Sequence, residues 1–313
     1  MSDLVGHVEA LAALTEAADS GRLHHAWLLA GPHGVGKAAF AHMVAERLLA
    51  AAAGRSVADL IAAGSHPDLR VLERLRDEKT GDRARSISIE QVRGLQRLFS
   101  TTGSYSSRRI VIIDAIDDLE RGGANALLKN LEEPPADSLF LLVSHAPGRL
   151  LPTIRSRCRL LRFAPLDDAA MRAVLARHVD ASEIEALIAV GEGAPGRALA
   201  FAGLDIAGLD ASIDRLIGEG DPGNALRSQL ARQLSLKAAQ PRYEAFLERV
   251  PARIARHAHG LQGSALVHAI ERWEAARQLT ARAIPQSLEA QATVFALAGM
   301  LAALAPEAVS GKG

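Results

Sequence analysis

Apolar residues at Leu4, Val8, Leu11 and Leu14 recur every three to four positions, which predicts an amphipathic helix over residues 4–20. The pattern then changes. "HAWLLAG" (25–31) is an unbroken apolar run ending in glycine and reads as a buried strand, and "KAAFAHMVAERLLAAAAG" (37–54) returns to a helix stopped by Gly54. Three more apolar runs, "RRIVIIDAID" (108–117), "SLFLLVSH" (138–145) and "CRLLRFAPL" (158–166), predict strands. Between them lie one continuous helix, "IEQVRGLQRLFS" (89–100), and a second, "GGANALLKNLEE" (122–133), which Pro134 and Pro135 stop. "SHPDLRVLERLRDEKTGDRARSIS" (65–88) predicts a short strand and then a charged, turn-rich exposed hairpin or loop. Strands that are apolar throughout, alternating with helices, belong to a parallel sheet covered on both faces.

After Pro165 the strands stop. "DDAAMRAVLARH", "SEIEALIAVGEG" and "PGRALAFAG" predict three short helices, followed by a helical remainder from about residue 206 and a frayed end at "VSGKG". The expected organisation is an α/β nucleotide-binding-like domain at 1–164, a three-helix domain at 165–205 and an all-α domain at 206–313.

Composition narrows the class of function. The formal net charge is zero, so the chain as a whole is no electrostatic trap for DNA, and nucleic-acid contact would need a local patch or partners. The single cysteine, Cys158, rules out a disulfide framework and a four-cysteine zinc module. The acidic N-terminal stretch lacks the apolar core of a secretory signal, and the longest apolar run, 292–305, is short for a membrane span. A cytoplasmic protein is expected.

The candidate chemistry begins at "GPHGVGKAAF" (31–40). Gly31, Gly36 and Lys37 fill the phosphate-loop pattern G-x-x-x-x-G-K-[ST], with Gly34 inside it, but Ala38 stands where a magnesium-binding hydroxyl belongs. Backbone N–H groups of such a loop, opening a helix after a strand, cradle anions, and the lysine reaches the β- and γ-phosphates. In phosphate-loop ATPases a strand-end aspartate joins the magnesium sphere, the place that Asp114 takes in "IVIIDAIDDL". Ala115 then stands where an active ATPase would carry a glutamate that activates water. Asp117 and Asp118 are too far past the strand end to replace it, because each step there turns the side chain elsewhere. These two alanines predict a loop that can hold a phosphate and does not hydrolyse ATP. "PTIRSRCRLLRF" (152–163) carries four arginines in eight residues; alone it reads as a solvated basic turn.

Taken together, "LVGHVEA", "HHAWLLAGPHGVGK", "HPDL", "ANALLKNLEEPP" and "LPTIRSRCRLLRFAPL" resemble the delta-prime family of bacterial DNA polymerase III clamp-loader subunits, densely over residues 4–201. The resemblance implies an AAA+ module, a three-helix lid and a helical collar in a ring of five. It implies that Arg157, in the Ser-Arg-Cys motif, is an arginine finger for a neighbouring subunit's ATP site. It places Ser144 at the sensor-1 position and Arg197 at the sensor-2 position. The implied partners are gamma/tau motor subunits and a delta subunit, with the sliding clamp and primer-template DNA reached through the complex, and no membrane. Many members carry a four-cysteine zinc module after the loop helix; residues 54–88 contain no cysteine, so no zinc is expected. The intact Lys37 loop leaves ATP or ADP binding without hydrolysis open. The rivals are an active gamma/tau-like motor, a self-contained phosphate-loop enzyme such as a nucleotide kinase, and a DNA-binding AAA+ regulator. Ala38, Ala115 and the missing cysteines count against the first.

Overall fold

The computed structural model describes residues 5–54, 56–76, 84–100 and 106–306, and the chain divides into two compact units, 1–199 and 200–313. The tip of the charged 65–88 stretch, Leu4 and the "VSGKG" end lie outside the described residues.

The first unit is built on five parallel strands, β1 (Ala26–Ala30), β2 (Leu69–Glu73), β3 (Arg109–Asp114), β4 (Ser138–Ser144) and β5 (Arg159–Arg162), in the order β2-β3-β4-β1-β5. Successive side chains of a strand point to opposite faces, so an apolar run feeds two cores at once. Trp27, Leu29, Ile110, Ile112, Leu141 and Val143 join one core with α1 (Val8–Asp19) and α2 (Lys37–Ala53). Leu28, Val111, Ile113, Phe140 and Leu142 join the other with α4 (Ile89–Arg93), α5 (Leu95–Ser100) and α6 (Arg121–Glu132). The short helix α3 (Ala58–Ala62) sits between α2 and β2 in the chain, and α7 (Pro152–Arg155) leads into β5. The sheet lies between these two helical layers, the covered parallel sheet that the sequence predicts.

Two expectations are corrected here. The predicted helix 89–100 is two helices separated by Gly94, which caps α4 and has poor helix propensity. The predicted helix 4–20 begins only at Val8, because His7 takes a left-handed conformation and its Nε2 meets the Val35 carbonyl at 2.9 Å. Three short helices complete the unit: α8 (Asp168–Leu175), α9 (Ala181–Gly191) and α10 (Pro195–Ala200).

The second unit consists, among the described residues, of α11 (Ile206–Glu219), α12 (Ala225–Leu234), α13 (Gln240–Ala258), α14 (Gly263–Ala283) and α15 (Ala290–Ala302), with short turns between them. Buried Leu209, Ile213, Leu216, Phe246, Val250, Ile254, Leu297 and Leu301 make its core. Arg242, Arg249 and Arg253, on α13, pair with Asp205, Asp210 and Asp214, at and along α11, as a ladder. No helix among the described residues is long and apolar enough to cross a membrane.

A candidate phosphate loop and a remote arginine

Strand register assembles the loop site. Ala30 pairs with Ser144 and Asp114 with Val143, so β1, β3 and β4 end together, and the Gly31–Lys37 loop leaves from that carboxyl edge. Ligands of open parallel sheets bind at this edge. Gly31 donates its N–H to the Ser144 carbonyl at 3.3 Å, and a Cβ there would lie 2.3 Å from the Phe163 carbonyl oxygen, so only glycine fits. Gly34, at φ +78°, accepts from the Gly196 N–H at 2.8 Å, and a Cβ on it would lie 2.5 Å from the Arg197 nitrogen. Gly36 immediately precedes α2. Loop and α10 thus meet backbone to backbone.

Lys37 is 2% exposed. Its ammonium donates to the carbonyls of Gly31, at 2.6 Å, and Pro32. An ammonium has three donors, so one N–H remains for an anion on the loop. Burial pushes its pKa down to about 8, against the opposing pull of Asp114 and Asp117.

Asp117 is the residue that sequence reasoning set aside. The 3-10 turn Ile116–Asp118 folds the chain back over the sheet edge. The Asp117 carboxylate then accepts from the Ser144 hydroxyl at 3.0 Å and from the N–H groups of His145 at 2.7 Å and Ala146 at 3.1 Å. Both oxygens are occupied in holding the end of β4, which leaves Asp117 a positioning group rather than a base. Ser144 is fully buried and spends its proton on Asp117. Ala115, at the position of the missing acid, is buried as well.

Two histidines flank the loop and were not legible as a pair. His33, within the loop, and His145, directly after Ser144, place their ring centroids 4.8 Å apart, edge to face. Burial lowers the pKa of His145, as do Lys37 and His33 beside it, with Asp117 and Asp114 acting the other way. Its Nδ1 is buried without a hydrogen-bond partner.

The magnesium ligands that the pattern calls for are incomplete: Ala38 offers no oxygen and Asp117 is engaged, which leaves the Asp114 carboxylate, at the end of β3, as the one side chain of that set placed beside the loop.

The other predicted residues part company. The Arg197 guanidinium pairs with Glu192 at 2.6 Å, although its backbone touches Gly34. Arg157 lies at the opposite sheet edge: Arg159 pairs with Trp27 near the start of β1, whereas the loop follows its end. At about 3.3 Å per residue, that separation is roughly 15 Å. There the Arg157 guanidinium, about a third exposed, pairs with Glu132 at 2.8 Å and donates to the Thr153 carbonyl at 2.9 Å. Burial pushes the thiol of neighbouring Cys158 up to about 12.

A family model described as DNA polymerase III, delta subunit, matches residues 6–167, just over half of the chain. The DNA polymerase III subunit delta' of Pseudomonas aeruginosa is 42% identical over 182 residues, covering 55% of this chain and 53% of that protein. That of Bacillus subtilis is 35% identical over 164 residues, 50% of this chain and 47% of the relative. A DNA polymerase III subunit gamma/tau of Mycobacterium bovis is 32% identical over 209 residues, 62% of this chain and 35% of that one. The chain spans about half the length of the delta' relatives it matches.

Proposed function

The chain belongs to the DNA polymerase III delta-prime family, and on that footing we propose that it is a stator of the clamp loader, silent in its own site and active in a neighbour's. It supports ATP-dependent loading of the sliding clamp onto primed DNA. It sits beside gamma/tau motor and delta subunits in a pentameric cytoplasmic ring, and Arg157 completes the adjacent motor's ATP site.

The observation that carries this reading is the separation of the two functional elements across the sheet. Arg157 stands at the amino edge and the Lys37 loop at the carboxyl edge, so the arginine has no geometry for serving its own loop. A planar guanidinium held at the surface suits a γ-phosphate presented from outside. The home loop, meanwhile, lacks a hydroxyl at Ala38 and an acid at Ala115. The motor reading, which the gamma/tau likeness would favour, requires both.

The test is a reconstituted loader carrying Arg157→Ala. Assembly, followed by size-exclusion chromatography, should be unaffected. DNA- and clamp-stimulated turnover at the adjacent ATP site should fall by roughly 10³-fold or more. Unchanged turnover would remove the in-trans role.

A further inference from the structure

The loop that lacks a magnesium-binding hydroxyl is bordered by two imidazoles, and neither the phosphate-loop pattern nor the trans arginine uses them. We propose that this loop takes the phosphates of a nucleoside di- or triphosphate without a magnesium ion, and that a proton shared by His145 and His33 supplies, beside Lys37, the positive charge the ion would bring. The inference rests on the reading of residues 31–37 as a phosphate cradle.

Three observations lead there. The first is the depleted cation site: Ala38 carries no oxygen, Asp117 is spent on Ser144, His145 and Ala146, and Asp114 alone is left of the ligands the pattern calls for. A di- or triphosphate still carries several negative charges that a single lysine leaves unbalanced. The second is placement. His33 belongs to the cradle itself, and the His145 ring stands 4.8 Å from it, at the end of the strand whose last carbonyl holds Gly31. The third is an unmet hydrogen-bond requirement. His145 Nδ1 is buried with no partner in the protein. Such a group normally finds an acceptor or a donor, and a phosphate oxygen beside the loop would serve.

Protonation is what ties these together. The charged and titratable groups around His145 are Lys37 from α2, His33 from the loop, Asp114 from β3 and Asp117 from the turn after it. Without an anion, burial and then Lys37 and His33 beside it work against a charge on its imidazole. A polyanion in the cradle reverses the sign of the local field. It draws a proton onto the histidine pair and completes both its charge and its hydrogen bonds. Binding is then coupled to proton uptake, and affinity rises as pH falls.

The experiment is isothermal titration calorimetry of the full chain with ADP and ATP, with magnesium or with EDTA, from pH 6 to pH 8, in buffers of different ionisation enthalpy. The inference predicts binding that EDTA leaves within twofold and that tightens about tenfold from pH 8 to pH 6. Near pH 7 the heats should report net proton uptake. His145→Gln should flatten the pH dependence and weaken binding at pH 6; His33→Gln, whose loop side chain supports no core, provides the second variant if the first unfolds. Binding that needs magnesium, ignores pH or ignores both substitutions overturns the inference and leaves the cradle reading standing. Absence of binding under every condition, with Lys37→Ala indistinguishable from the parent, overturns the cradle reading and the inference with it.

Discussion

At the residue scale, Lys37 is the most consequential side chain of the first unit. Its ammonium is buried, and its pKa of about 8 compares with an ordinary value of 10.5. Between those two values the unfolded chain binds more protons than the native one, so stability gains with rising pH. Comparing the parent with Lys37→Met by urea denaturation, the parent should gain relative to the variant from pH 8 to pH 10.5. The gain should be at most about 3 kcal/mol. A difference that is flat across that window would contradict the native pKa. The loop was legible because its glycines, lysine and flanking elements are consecutive in the chain. Asp117 was not, because a side chain's direction past a strand end depends on the turn that follows, and a single 3-10 turn restored it to the site. The His33–His145 pair is a contact between β4 and the loop, set by register, and no local spacing announces it.

At the scale of elements, punctuation decides more than propensity. Ser88 accepts from the Gln91 N–H while the Gln91 side chain returns to the Ser88 N–H, a complete capping box that starts α4. Ser88→Ala should cost about 1 kcal/mol in chemical denaturation. The strands were readable from their apolar runs, and the break at Gly94 was not, since the apolar pattern runs through it. The second unit shows the deeper limit. In α14 the buried positions are Ala269, Ala276 and Ala283, seven residues apart, while Val267 and Ile270 are exposed. A hydrophobic ranking picks the larger residues as the inner face, whereas close helix approach selects the small ones. The ladder between α11 and α13 is a second case, invisible without the pairing of the two helices. Arg249 is its least exposed member, against Asp210. Arg249→Met strands that carboxylate and should cost about 1–3 kcal/mol, read as a lowered urea midpoint. A neutral outcome would show that the ladder is merely decorative charge.

For the whole molecule, charge balance is the governing quantity. Thirty-six basic and thirty-six acidic side chains cancel, and many of the arginines described above are already committed to aspartate or glutamate. A chain so balanced releases few counterions on meeting a phosphate backbone. The isolated protein should therefore bind a labelled primer-template more weakly than about 10⁻⁴ M at 150 mM salt, measured by fluorescence anisotropy. Micromolar binding would mean a concentrated basic surface that the overall balance hides. The family resemblance is dense in the first unit and rests on helical character in the second. The motifs belong to turns and strand ends, which tolerate few alternatives, whereas a helical bundle accepts many sequences of the right size.

The contact between Gly34 and Gly196 gives this arrangement a mechanical character. Two stretches of main chain touch with no side chain between them, so there is no soft material to absorb a displacement. Anything that moves the tip of the loop by a few tenths of an ångström has to push α10, and whatever grips α10 is felt in turn by the loop. The pair works like a direct gear mesh, and a methyl group on either glycine would be grit between its teeth.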